Sequence, residues 1–228
     1  MNYVQHNKEL HDALYNMVEP VVFTKSDSAL LKNHKPFFLP DWSQQMDYEA
    51  QLVVRISRLG KSIPERFAHR YYDAVTVGID FTARDLLEQA RQKGLPWTAA
   101  KDFDNSAVIG DWVELAKGEP TDGSNTAGPT GGNDMAEPTG RSEGAEPLTG
   151  MADLHFHLDV NGTTVQRGYS GDMLWTVDAL VAYISRFFTL KTGDLLFTGT
   201  PSGWGTARID DHLEGWLGER KILDFHCK

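Results

Sequence analysis

Cysteine is nearly absent. The 228 residues contain one, Cys227, beside the C-terminal lysine, so neither a disulfide framework nor a cysteine-rich zinc site can be built within the chain. That scarcity fits a reducing, cytoplasmic setting. No run approaches about eighteen consecutive apolar residues, and Lys8, Glu9 and Asp12 stand where a signal peptide needs its apolar stretch. Neither a membrane-spanning helix nor export is expected. Positive charge is also scarce: 22 Lys and Arg against 32 Asp and Glu leave a formal charge of −10, with no basic block. A chain of that sign offers no footprint for phosphate backbones or anionic lipid, which sets nucleic acid and membrane surfaces aside as partners.

What is present suits one core. With 40% hydrophobic and 11% aromatic residues, the length supports a single catalytic-size domain over residues 1–228, carrying one embellishment. The embellishment is residues 116–150, which hold eight of the 21 glycines and four of the ten prolines and almost no large apolar side chain. Such a segment cannot bury enough surface to offset its ordering entropy. Pro120, Pro129, Pro138 and Pro147 recur every nine residues, but the units lack the apolar position that a solenoid rung buries, so a low-complexity insertion is expected.

Apolar runs at 50–56, 74–79 and 194–198 predict core strands. Asn161-Gly162 between "DLHFHLDV" and "TTVQRG" predicts a hairpin. The 3–4 spacing of Val177, Leu180, Val181, Ile184, Phe187 and Phe188 predicts an amphipathic helix over 175–188, with Thr176 as its N-cap. A second helix is expected to open at Thr82 and run through "ARDLLEQARQK", and a third in "SIPERFAHRYYDAV" with Pro64 in its first turn. Strands and helices do not alternate as βαβ units, so the reading is α+β with mixed sheets.

Several clusters could carry chemistry. His6 and Glu9 are three apart, which suits either an imidazole oriented by a carboxylate or a solvated pair. Glu49 and Gln51 share a strand face, and Asp80 ends a strand shortly before Arg84. Together they are either an oxygen-donor set for a hard cation or a cap and an ion pair. "GDLLFTGTPSGWG" runs from a strand into a loop carrying Gly199, Gly203 and Gly205, which can bring backbone N–H groups close to an anion or simply turn the chain. Lys101 sits amid Asp102 and Asp104, neighbours that would keep it cationic. His155 and His157 share a strand face, but no third metal ligand suggests itself nearby.

The order of these motifs decides more than any one of them. "NYVQHNKEL", "EPVVFTKSDSAL", "FFLPDWSQQMDYEAQLVVRI", "VGIDFTARDLL", "KDFD" and "YISRFFTLKTGDLLFTGTPSGWG" together resemble the fumarylacetoacetate hydrolase family, in its small acylpyruvase-like or 2-hydroxyhepta-2,4-diene-1,7-dioate isomerase-like form. The resemblance covers residues 2–113 and 154–224. It implies a mixed β-roll of that family's type, here lacking its first strand, and a cytoplasmic homodimer. It further implies a divalent metal, Mg²⁺ or else Mn²⁺ or Ca²⁺, with Glu49 and Asp80 matching ligands and Gln51 standing where a second Glu is usual. His6 and Glu9 match a water-activating dyad, Lys101 a lysine that stabilises developing negative charge, and Arg84, Gly199 and Thr200 positions near the substrate. Leu87 stands where relatives often place a substrate-binding Gln. The implied reaction is metal-dependent hydrolysis of a C–C bond in a small acylpyruvate-like 2-oxo or diketo acid. Isomerisation or decarboxylation of a related dicarboxylate is the alternative within enzymes, and a degenerate binding or structural relative the alternative outside them.

Overall fold

The computed structural model describes residues 2–3, 19–116 and 147–228. His6, Glu9 and most of the 116–150 insertion lie outside the described residues. Among those described, thirteen strands and three α-helices follow in the order β1 (Leu30–Leu31), β2 (Met46–Tyr48), β3 (Ala50–Ile56), β4 (Tyr72–Asp80), β5 (Thr82–Ala83), α1 (Arg84–Lys93), α2 (Thr98–Lys101), β6 (Ala107–Ile109), β7 (Val113–Glu114), β8 (His155–Val160), β9 (Thr163–Tyr169), α3 (Val177–Phe187), β10 (Leu195–Phe197), β11 (Gly205–Thr206), β12 (His212–Leu217) and β13 (Arg220–His226). Strands outnumber helices and the largest sheet is mixed, as an α+β reading requires.

Three sheets divide the work. The largest runs β1-β6-β4-β3-β10, with β7 added beside β4; a four-stranded antiparallel sheet runs β13-β12-β8-β9; a short one runs β11-β2-β5. The pairs are antiparallel except β1 with β6. In β3 six of seven residues are buried, because β4 and β10 flank it and Leu52 and Val54 pack into one core cluster while Val53 packs into another with Ala74, Ile109 and Trp112. That is why its sequence reads as a continuous apolar run instead of alternating. Leu52, Ile79, Leu158, Leu213 and Leu223 are fully buried between the large and four-stranded sheets. Truncating any of these leucines to alanine costs about 2–5 kcal/mol.

One stack matters for the site. Phe81 lies flat on Phe37, with ring centroids 3.9 Å apart, and meets Phe225 edge-on at 6.3 Å. Along this extended segment side chains alternate in direction, so seating Phe81 in the core turns Asp80 and Thr82 the other way. Aromatic packing thereby aims two polar side chains into the cleft.

The Asn161-Gly162 turn takes positive φ at both residues, 52° and 76°, and joins β8 to β9 as the hairpin required. In α3, Thr176 accepts a hydrogen bond from Ala179 N at 3.1 Å, the expected cap. Two expectations need correction. The third helix is only a 3-10 segment, Glu65–Arg70, because Tyr72–Val75 are recruited into β4 opposite β3 and β7. Thr82 does not open a helix: it pairs with Asp47 in β5, and α1 begins at Arg84. At the insertion's edges, Leu148 pairs with Leu115 as an isolated parallel bridge, so the described flanks meet. No helix among the described residues is long and apolar enough to cross a membrane.

Candidate active site

The β2–β3 segment crosses between two sheets at Glu49. Asp47, Glu49 and Gln51 alternate onto one face, and the opposite strand supplies Asp80 two residues beyond Gly78, the partner of Gln51. Arg84, at the first turn of α1, donates from Nε to Asp47 Oδ2 at 2.8 Å and from Nη2 to Glu49 Oε1 at 2.9 Å. Its guanidinium also stacks over Trp204, 4.5 Å from the ring centroid. Lys101, closing the short α2, donates from Nζ to Glu49 Oε2 and to Asp80 Oδ2, both at 3.0 Å, and to the Thr82 hydroxyl. Lys25 approaches from an extended N-terminal segment, with Nζ 2.9 Å from Asp80 Oδ1 and 2.9 Å from Ser106 Oγ.

Asp47, Glu49, Asp80, Arg84 and Lys101 are all buried. Three carboxylates thus face three cations, and the array is formally neutral. Burial pulls the Lys101 ammonium down, but Asp80 and Glu49 together outweigh it and hold the group above the usual lysine range. For Lys25 burial wins, helped by the Lys101 charge against the pull of Asp80, and the group sits below the usual lysine range. Arg84 is likewise held charged: burial opposes it, and Glu49 and Asp47 more than compensate.

Gln51 is placed by the loop after β10. Its Oε1 accepts from Gly199 N at 2.7 Å, and its Nε2 faces Asp80 Oδ2 at 3.3 Å. The backbone donor fixes the amide's orientation, since a flipped amide would set N–H against N–H. Gly199 can bring that donor in because it adopts φ 103°, and a Cβ there would lie 2.7 Å from Asn2 Cβ. Asn2 is anchored in turn, donating to Trp175 O at 2.9 Å and accepting from Trp175 N at 2.8 Å. Buried Gln166 accepts from Ala50 N at 2.9 Å and donates to Thr200 Oγ1 at 3.0 Å, tying the Glu49-Ala50-Gln51 stretch to the loop.

A cavity of about 520 Å³ opens over these groups. Glu49, Gln51, Asp80, Arg84, Lys101, Gly199 and Thr200 lie on its wall, with Phe23, Leu30, Leu87 and Trp97 supplying apolar surface. Of the expected site residues, Glu49, Gln51, Asp80, Arg84 and Lys101 come into direct contact, and Gly199 and Thr200 border the same cleft. His6 and Glu9 lie outside the described residues. The expected partners of Lys101 were wrong: Asp102 accepts from Ser26 N at 2.6 Å instead, and Lys101 turns inward to Glu49 and Asp80. His155 and His157 stack on Tyr169 and Trp216. Lys25, Asp47 and Gln166 escaped the sequence reading; for Asp47 the alternation with Glu49 and Gln51 was the available signal, and for the other two there was none.

Comparison with known proteins fixes the kinship. The family description "Fumarylacetoacetate (FAA) hydrolase C-terminal" matches residues 1–227. The chain belongs to the fumarylacetoacetate hydrolase family. Among the family's relatives, the mitochondrial oxaloacetate tautomerase FAHD1 of Mus musculus is 30% identical over 227 residues, covering 100% of this chain and 88% of that protein. A fumarylpyruvate hydrolase from Pseudomonas aeruginosa, solved in complex with Mn²⁺ and pyruvate, superposes with a TM-score of 0.80 at 28% identity, over 100% of this chain and 86% of that one. A 2-hydroxyhepta-2,4-diene-1,7-dioate isomerase from Mycobacterium marinum gives 0.72 at 26% identity, over 100% and 71%. The mixed, sheet-rich α+β fold matches these family structures, and the kinship spans hydrolases, isomerases and tautomerases.

The donor set can be weighed against a divalent cation such as the Mn²⁺ of the Pseudomonas protein. A hard cation wants six or more oxygens, most of its charge balance coming from carboxylates. Glu49 Oε2 and Asp80 Oδ2 are both held by the Lys101 ammonium, and the other Asp80 oxygen, buried and accepting no hydrogen bond among the described residues, has the Lys25 ammonium 2.9 Å away. At the third position Gln51 presents N–H, its oxygen being engaged by Gly199. As arranged, the described residues do not fit a resident divalent ion held by three protein oxygens.

Proposed function

We propose that this chain is an enzyme that carries a small 2-oxo acid through its enolate, interconverting the keto and enol forms of a dicarboxylate of the oxaloacetate kind. The observation that supports it is the buried Glu49-Lys101-Asp80 bridge beneath an open cleft, a preorganised cation where an enolate oxygen would gain charge. When the C3 proton leaves, its electron pair moves onto the keto oxygen. Lys101 offsets that charge through space and without reorganising, because Glu49, Asp80 and Thr82 already take its three N–H groups and the two carboxylates keep it protonated. Arg84, held by Asp47 and Glu49 and backed by Trp204, is the group we assign to orient a substrate carboxylate. His6, which with Glu9 matches the family's His-x-x-Glu dyad in sequence, is the base we assign to take the C3 proton and return it. A degenerate, merely structural relative would have no reason to keep two buried cations and a part-buried third against three buried acids beside an open cleft, since an apolar replacement is cheaper. The homodimer and cytoplasmic residence expected from sequence belong to the same reading.

A second reading is supported by the His6-x-x-Glu9 spacing and by the likeness to the fumarylpyruvate hydrolase. The same enolate is the leaving group when water cleaves a 2,4-dioxo acid, and His6 would then deprotonate that water. Two assays separate the readings: decay of enol oxaloacetate by ultraviolet absorbance, and pyruvate release from an acylpyruvate. The first reading expects rapid enol decay from the wild-type chain. Release of pyruvate without any acceleration of enol decay would replace it with the second.

A further inference from the structure

The array that supports this function also says when an ion can enter it. Gln51 is buried, and both ends of its amide are spoken for: Oε1 by Gly199 N at 2.7 Å, Nε2 by Asp80 Oδ2 at 3.3 Å. Its outward group toward the carboxylate pair is therefore a donor, carrying partial positive charge where a carboxylate would carry a full negative one. Lys101 Nζ lies 3.0 Å from Glu49 Oε2 and 3.0 Å from Asp80 Oδ2, the spacing of a bridging cation. Lys25 Nζ lies 2.9 Å from the far oxygen of Asp80, which accepts no hydrogen bond among the described residues. Arg84 takes the remaining oxygen of Glu49 at 2.9 Å. Each oxygen of the two acids thus has a cation against it, and the charges of Asp47, Glu49 and Asp80 are matched by Lys25, Arg84 and Lys101.

We infer that the resting protein is closed to divalent cations, with Gln51 as the residue that closes it, and that an ion enters only together with a chelating 2-oxo acid. The physical reason is that a cation arriving alone meets a neutral array with an N–H aimed at it. A chelating substrate changes this by bringing two oxygens and its own negative charge. The inference rests on the cleft being the substrate site. It is read without turnover, so it fails or stands apart from the activity assays above.

The test uses the full chain and Mn²⁺ as the probe, followed by electron paramagnetic resonance of the free ion and by calorimetry, with and without oxalate as an enolate mimic. The wild type is expected to bind Mn²⁺ only when oxalate is present. Gln51→Glu restores a unit charge a few ångströms from the ion, so it should bind Mn²⁺ without oxalate on the order of a thousandfold more tightly than the wild type. Tight Mn²⁺ binding by the wild type alone would overturn the inference. Equal affinities of wild type and a folded Gln51→Glu protein would overturn it too, by showing that Gln51 is not what closes the centre. Should the added carboxylate against Asp80 prevent folding, the oxalate dependence of the wild type decides the matter unaided: Mn²⁺ affinity unchanged by oxalate contradicts the inference.

Discussion

Replacing Lys101 by methionine keeps most of the stem's volume and removes the ammonium that two buried acids share. Glu49 and Asp80 then retain Arg84 and Lys25, at 2.9 Å each, but face one another without the bridge at 3.0 Å. Removing one partner from a buried ion pair costs about 3–5 kcal/mol, since it strands charge in a low-dielectric interior. The two remaining cations place this variant near the lower end, about 3 kcal/mol. With a urea slope of about 3 kcal/mol per molar, the unfolding midpoint should fall by roughly 1 M. The pH dependence supplies the signature. Against the pull of burial, Asp80 and Glu49 hold Lys101 above the usual lysine range, so its stabilisation is fully present below about pH 10 and is lost as pH rises through the raised value. The midpoint gap between variant and wild type should therefore persist at neutral pH and narrow only in strong alkali. A gap below roughly 0.3 M at neutral pH would refute the claim that Lys101 is the cation holding this pair together.

Three further outcomes follow from other parts of the molecule. Arg84→Lys cannot span Asp47 and Glu49 as the guanidinium does, so it should lose about 1–3 kcal/mol of stability in urea titration and shift the emission of Trp204, on which Arg84 stacks. The Cys227 thiol is buried, and burial pushes its pKa up to about 12, so a disulfide reagent at pH 8 should leave the native protein unmodified and react fully once urea unfolds it. Although burial pushes the Asp85 carboxyl up, hydrogen bonds from Gln44 N, Ser43 Oγ and Leu86 N outweigh it and hold the pKa below the usual carboxylate range. Its stabilisation is present above about pH 4 and lost as pH falls through the depressed value, so Asp85→Asn should flatten the acid limb of a melting-temperature profile.

What could be read in advance was what short-range physics writes into neighbouring residues. Asn161-Gly162 takes positive φ whatever surrounds it, and Thr176 caps the helix whose 3–4 apolar spacing it precedes. The segment after Pro64 shows where local signals lose. Its spacing suited a helix, yet Tyr72–Val75 gained more by pairing with β3 and β7, leaving a 3-10 segment in front. At the site, Glu49, Gln51, Asp80, Arg84 and Lys101 could be named because the family resemblance names them. Their contacts could not. Lys101 was expected to answer to Asp102 and Asp104 beside it, whereas its partners lie 52 and 21 residues away. Lys25 and Gln166 reach Asp80 and Ala50 across the fold, and no local pattern marks either. The orientation of the Gln51 amide depends on Gly199, 148 residues distant, so the functional meaning of that substitution required the folded chain.

The cleft over Glu49, Asp80 and Lys101 is proposed to make an enolate, and hydrogen exchange reads that step alone. The chain would be incubated in D₂O with oxaloacetate, with and without Mn²⁺, and loss of the C3 proton signal followed by NMR against a buffer blank. Exchange well above the blank is expected for the wild type, with a loss of at least about a hundredfold for a folded Lys101→Met protein, the scale of removing a charge-stabilising group. Exchange no faster than buffer under either metal condition, or undiminished in Lys101→Met, would contradict that proposal.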